Sequence, residues 1–216
     1  MLLVELDGKE IKVPQSYSEL TLDNFIHLWK ILCKYNIDQP PTEVEEVDKF
    51  VEDEVNLTKE IVGKLLGISP RTVERIDYTQ AQEVVTVFNN MLENDKFEKD
   101  WGGHSFEWKG ETYYFPKTDF DKMSFGEYAT LKQYEQVLSK DTDKRYDFIP
   151  EQMAWICRKK DEKKDSYNLK ERTEVFKDIT MDVVMALTFF LHKRIETLQY
   201  LIQTFSKTEQ TVQPSS

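Results

Sequence analysis

The chain is short of the residues that build loop-rich or cross-linked folds. Seven Gly and seven Pro in 216 residues are few, which favours helices over a sandwich of many turns. Two cysteines, Cys33 and Cys157, stand apart with no CxxC, excluding a disulfide framework and a zinc ribbon. His27, His104 and His192 are scattered and supply no metal-ligand spacing. Positive charge is also lacking: 29 Lys+Arg against 40 Asp+Glu leave a net charge of −11. Such a balance argues against a general grip on nucleic acid, which needs clustered Lys and Arg. The longest hydrophobic stretch, Ile179–Leu191, is too short to span a bilayer before it meets His192, Lys193 and Arg194. No basic region precedes the apolar run at the N-terminus, so no signal peptide is predicted. The expectation is a soluble protein of a reducing compartment.

What is present is apolar and aromatic. Hydrophobic residues make up 39% and aromatics 12%, with thirteen Phe, ten Tyr and four Trp, too many for a disordered chain. At roughly 100–200 residues per domain the length fits one large or two small domains.

An internal similarity favours two. Residues 4–14, VELDGKEIKVP, align with 106–116, FEWKGETYYFP, at an offset of 102. Glu5/Glu107, Gly8/Gly110 and Pro14/Pro116 are identical, and Val4/Phe106, Leu6/Trp108, Ile11/Tyr113 and Val13/Phe115 are apolar in both. Alternating runs about a glycine turn predict a β-hairpin in each. After one inserted residue the match resumes through Thr21/Ser124, Phe25/Tyr128 and Leu28/Leu131. Thr21 and Ser124 are N-cap candidates, the second with Glu127 as a capping box, for helices over 22–35 and 125–139. A third block pairs Arg71-Thr72, Asp77, Thr79 and Phe88 with Arg172-Thr173, Asp178, Thr180 and Phe189, now 101 apart. The expected fold is α+β and mainly α, in two related units, each a hairpin followed by a helical bundle. Their bounds are 1–98 and 104–206, with a disordered tail over 207–216.

The two units differ. The first carries an acidic helix insertion, 42–54, opened by Pro40-Pro41 and a Thr42/Glu45 capping box. Seven acids stand against one Lys in Glu43–Glu54, the composition of a solvated face. The second has RKKDEKK, Arg158–Lys164, expected as an exposed loop.

Motifs for chemistry are few. Glu60–Ile76, EIVGKLLGISPRTVERI, has the look of a helix-turn-helix, with Gly63 at a crossing, Gly67 in the turn, Ser69 as cap and Pro70 at the first helical position. A DNA reader needs a basic recognition face, and here Arg71 and Arg75 are interspersed with Glu74 and Asp77. Helix–helix packing explains the segment as well. No GxSxG, HExxH, P-loop or GxGxxG occurs, and pairs such as Asp119/Asp121 or Glu45/Glu46 have nothing to mark a pocket around them. The sequence predicts no enzyme, no metal and no cofactor. Cys33 falls on the apolar side of its helix and is expected to be a small buried hydrophobe. The helix expected over 180–205 is hydrophobic nearly all round at its start, so it is either the core helix of the second unit or a covered contact face.

Residues 57–92, LTKEIVGKLLGISPRTVERIDYTQAQEVVTVFNNML, resemble the tail assembly chaperones of tailed phages, in particular the Mu-like group. The opening hairpin with its Val13-Pro14 end and the Thr21-Leu22 helix start also fit that family. The likeness covers about 2–95 and, through the repeat, more weakly 105–191. It implies a non-catalytic, acidic, mainly helical protein of the host cytoplasm that binds the tape-measure or tail tube protein during virion assembly. Two alternatives stay open: a virion structural or head–tail component of a tailed phage, and a helix-turn-helix DNA-binding regulator. No nucleic acid or membrane is expected as a partner; a homo-oligomer is possible. The partner surface is expected at Phe189, Phe190 and Leu191. On the 101 spacing Phe189 matches Phe88 and should be shared core, while Phe190 and Leu191 replace Asn89 and Asn90.

Overall fold

The computed structural model describes residues 1–35, 44–93, 104–115, 143–163 and 166–189. Strands β1 (Leu3–Leu6) and β2 (Lys9–Lys12) pair antiparallel, with Leu3 opposite Lys12 and Leu6 opposite Lys9. The connecting Asp7-Gly8 has φ of 55° and 74°, the doubly positive geometry of a type I′ turn, which suits glycine and tolerates Asp. Strands β3 (Ser105–Trp108) and β4 (Glu111–Tyr114) repeat this register, Ser105 opposite Tyr114 and Trp108 opposite Glu111. Lys109 and Gly110 turn with φ of 49° and 79°. Even the bond that closes each hairpin recurs: Val13 N–H to Leu2 O and Phe115 N–H to His104 O. The sheets are separate, the first two-stranded and the second three-stranded.

The third strand is a correction. Arg158–Lys159, expected in an exposed loop, form β5, paired to β4 through Tyr113–Lys159 and Tyr114–Arg158. A run of cations reads as solvated loop, yet the aliphatic stems of Lys and Arg sit readily on a sheet edge.

Helix α1 (Leu22–Lys34) starts where Thr21 Oγ1 accepts from Asn24 N–H at 3.3 Å, as its cap position predicts. Helix α2 spans Val44–Leu66 without interruption. The acidic residues from Glu45 to Glu54 therefore lie on one helix that runs on to Leu66 and not on a helix of their own. Nothing between Glu54 and Leu57 breaks a helix, and the capping residue Thr42 lies outside the described residues. Gly67 ends α2 at φ 67°, Ile68 N–H returns to Gly63 O, and Ser69 Oγ accepts from Thr72 N–H to start α3 (Pro70–Val73). Helices α4 (Tyr78–Glu93), α5 (Ile149–Ile156) and α6 (Leu169–Lys177) follow, then a helix over 181–189, α7. Ser124, Glu127 and the helix predicted over 125–139 lie outside the described residues, as does the tail 207–216.

A single buried cluster draws on both halves: Val4, Val13, Phe25, Val62 and Phe88 from the first, Phe106, Tyr113, Met153, Phe176 and Val184 from the second. The fold is mainly helical, with two small sheets among the described residues. The halves are stitched where two helices begin. Leu22 N–H donates to Ile179 O (2.7 Å) and Met181 N–H to Leu20 O (2.8 Å), so Thr21 and Thr180 face each other in an antiparallel bridge. Beside it Tyr146 stands edge-on to Phe25 and Trp29, and Lys30 pairs with Asp147 at 2.7 Å.

Candidate functional site

Helix α7 carries Phe189, one of the three sequence-predicted partner residues. Ile179, Met181, Val183, Val184, Ala186 and Leu187 are buried, so its first two turns are covered on several sides. Phe189 then emerges at 55% exposure. Phe190 and Leu191 lie outside the described residues.

The exposure of Phe189 overturns its matching with Phe88, which is fully buried. The hydrogen bonds explain the discrepancy. Ile76 N–H donates to Val73 O and Ala81 N–H to Asp77 O; Ile179 N–H donates to Phe176 O and Val184 N–H to Thr180 O. These recur 103 residues apart, not 101, and α4 and α7 likewise begin at Tyr78 and residue 181. On that spacing Val73 matches Phe176, Ile76 matches Ile179, Ala81 matches Val184 and Val84 matches Leu187, all buried. Phe189 then matches Thr86, and both are exposed. The shared Arg-Thr and Asp letters lie 101 apart, two residues short of the spacing at which these bonds and this burial recur.

The segment resembling a helix-turn-helix does not offer a reading head. Helix α3 is one turn long, and the next helix starts only at Tyr78. Arg75 is held by Asp7 in the hairpin turn, and Glu74 by Lys59 at 2.7 Å. Gly63 has a packing role: a Cβ there would lie 3.0 Å from Ile68 O and 3.5 Å from Val73 Cγ2. A shallow cavity of about 530 Å³ opens beside it, lined by Asn24, Glu60, Lys64, Gly67 and Pro70 among others. Its carboxylate is already engaged, because Glu60 Oε1 accepts from Lys34 Nζ (2.6 Å) and Tyr35 Oη (2.7 Å). Burial pushes the Glu60 carboxyl up, but these two donors outweigh it and hold the group below its ordinary range.

Other candidates disperse. Cys33 is exposed, contrary to expectation, because it sits in the last turn of α1, where the exposed Lys34 also lies beyond the cover of the core. His27 is exposed and bonds through Nδ1 to Asp23 O at 2.7 Å. Asp119 and Asp121 lie outside the described residues. Among the described residues no group of three or more His, Cys, Asp or Glu could hold a metal, and no helix is long and apolar enough to cross a membrane.

Sequence reasoning missed one polar constellation. Arg172 is 7% exposed and forks onto Glu162, with Nη1 at 2.8 Å from Oε2 and Nη2 on Oε1. Its guanidinium lies 3.5 Å from the Tyr167 ring centroid and 5.7 Å from that of Tyr113. This bidentate, stacked arrangement locks the loop after β5 to α6. The arginine's letter matches Arg71, which is exposed, so nothing in the sequence distinguished the two.

No family model matches the chain, and neither the curated proteins nor the solved structures yield a match.

Proposed function

We propose that the protein is a duplicated, non-catalytic assembly chaperone of a tailed phage, binding an apolar segment of the tape-measure or tail tube protein. The observation that carries the reading is Phe189. A large aromatic stands half exposed on a helix whose earlier turns are buried, where the related position of the first half holds Thr86. Large side chains that a partner covers at the centre of an interface are the ones that carry binding energy, and Phe189 is free to take that role.

The repeat supports the reading's architecture. Hairpins of the same register, paired type I′ turns and recurring hydrogen bonds before α4 and α7 fit two related units over 1–98 and 104–206. Interlocking at Thr21 and Thr180 would make them one working body. Weak contacts spread over such a body suit a client that must be released as the tube polymerises. The net charge of −11 keeps loaded complexes apart in solution.

The test is a Phe189→Thr variant, which installs the residue of the first half. Co-expressed with tape-measure and tube proteins, it should keep its melting temperature and lose co-purification of the client. A collapsed melt would return Phe189 to the core, and retained co-purification would remove it from the surface. Mass spectrometry of purified virions separates chaperone from structural component: abundance comparable to the tube subunit sinks the chaperone reading.

A further inference from the structure

A second surface lies on the N-terminal half of α2. Val47, Val51 and Val55 recur every fourth residue and are 41%, 50% and 47% exposed. Residues at that spacing share one face of a helix. The same face, continued, carries Ile61, Val62, Leu65 and Leu66, all buried. Helix α2 therefore runs its core stripe past the end of its cover and leaves two turns of it, about 12 Å at 1.5 Å per residue, facing solvent. Val is an ordinary helix surface residue neither by propensity nor by solubility, and three in register are a stripe and not scatter.

The charges beside the stripe select its occupant. Asp48 and Glu52 follow the valines by one residue along one border, and Glu54 stands on the other; all three are exposed. Lys49 is the one cation between Val44 and Asn56. A second copy of the chain laid on this face would bring carboxylate borders together, against a background of −11 on each molecule. An apolar row edged with carboxylates complements a helix that carries an apolar row edged with Lys or Arg. The geometry points to a docking site on α2 for a basic amphipathic helix of a partner protein, seated on Val47, Val51 and Val55 and flanked by Asp48, Glu52 and Glu54. This goes beyond the assembly reading, which places its client at Phe189, and stands or falls separately from it.

The test uses the full-length chain and three synthetic helices of about 15 residues, long enough to hold helical structure on a partner. One has leucines at helical spacing with lysines on the other face, one replaces every lysine by glutamate, and one replaces every leucine by serine. Fluorescence anisotropy should detect the Lys/Leu peptide alone, with affinity falling as salt rises. The Val47→Ser, Val51→Ser, Val55→Ser triple variant should melt as the native chain does and bind that peptide at least about tenfold more weakly. Phe189→Thr should leave the binding unchanged. Equal binding by the triple variant, or equal binding of the Glu/Leu or Lys/Ser peptide, would overturn the proposal. So would a collapsed melt of the triple variant, which would mean that the chain itself covers the stripe. Sedimentation equilibrium showing a dimer that the triple variant loses would assign the face to a second copy instead.

Discussion

Replacing Arg172 by Ala should be among the most damaging single changes the protein can suffer. The guanidinium and the Glu162 carboxylate are both out of water, with side-chain exposures of 7% and 13%. Removing one partner strands the other's charge in a poorly solvated place, a cost of about 3–5 kcal/mol. Loss of the stacking on Tyr167 adds to it. Against a total stability of roughly 5–15 kcal/mol the variant would approach global unfolding. At about 2–4 °C per kcal/mol for a chain of this size, the melting temperature should fall by roughly 6–20 °C. Arg172→Lys keeps the charge but not the fork, and should fall in between. Arg172→Met with Glu162→Leu removes both charges and should cost less than either single truncation. The pair also sets a pH dependence. Burial pushes the Glu162 carboxyl up, yet the Arg172 and Lys159 hydrogen bonds more than offset it, so the group lies below its ordinary range when folded. A depressed folded value means that the stabilisation is complete above the unfolded value of about 4.3 and is lost as pH falls through the folded one. Urea titrations at neutral and acid pH, on native protein and on Glu162→Gln, measure this directly. An Arg172→Ala variant within about 1 kcal/mol of the native chain would refute the argument, because an exposed pair contributes no more than that.

Three further outcomes follow from the packing and charge. Gly63→Ala gains about 1 kcal/mol of helix propensity but crowds Ile68 O at 3.0 Å, a cost of about 1–3 kcal/mol. The net loss, about 1 kcal/mol by urea titration, should grow with Gly63→Val; a stabilised Gly63→Val would contradict the close approach. A thiol reagent should modify exposed Cys33 in the native protein, and buried Cys157, whose thiol burial pushes above its ordinary range, only after denaturation; equal native labelling would contradict the burial of Cys157. Duplex DNA should show no gel shift at physiological salt, since α3 is one turn long and Arg75 is tied to Asp7. A shift at micromolar protein, abolished by Arg71→Ala with Arg75→Ala, would reverse this.

What could be read from the letters follows from how local each signal is. The hairpins were legible because alternation and a glycine at a forced positive φ are properties of adjacent residues, and Gly8 and Gly110 carry both. The start of α1 was legible for the same reason: Thr21 caps its own helix. The register of the third block was not, because matching letters rewarded Arg-Thr while the chain conserves burial and hydrogen bonds. Arg71 is exposed and Arg172 is buried in an ion pair, so the identical letters do different work. The continuity of α2 was missed because an abrupt change from acidic to apolar composition suggests two elements. A helix needs only that no residue break its hydrogen bonds, and a change in what its surface meets leaves that condition untouched. That last point also locates the candidate surfaces. Phe189 and the valine stripe of α2 lie where an apolar helix face runs past the cover provided by the described residues. Sequence periodicity reports that a face is apolar; where the cover stops is a tertiary fact. The two proposed partner surfaces are the stretches where a described helix outlasts its cover.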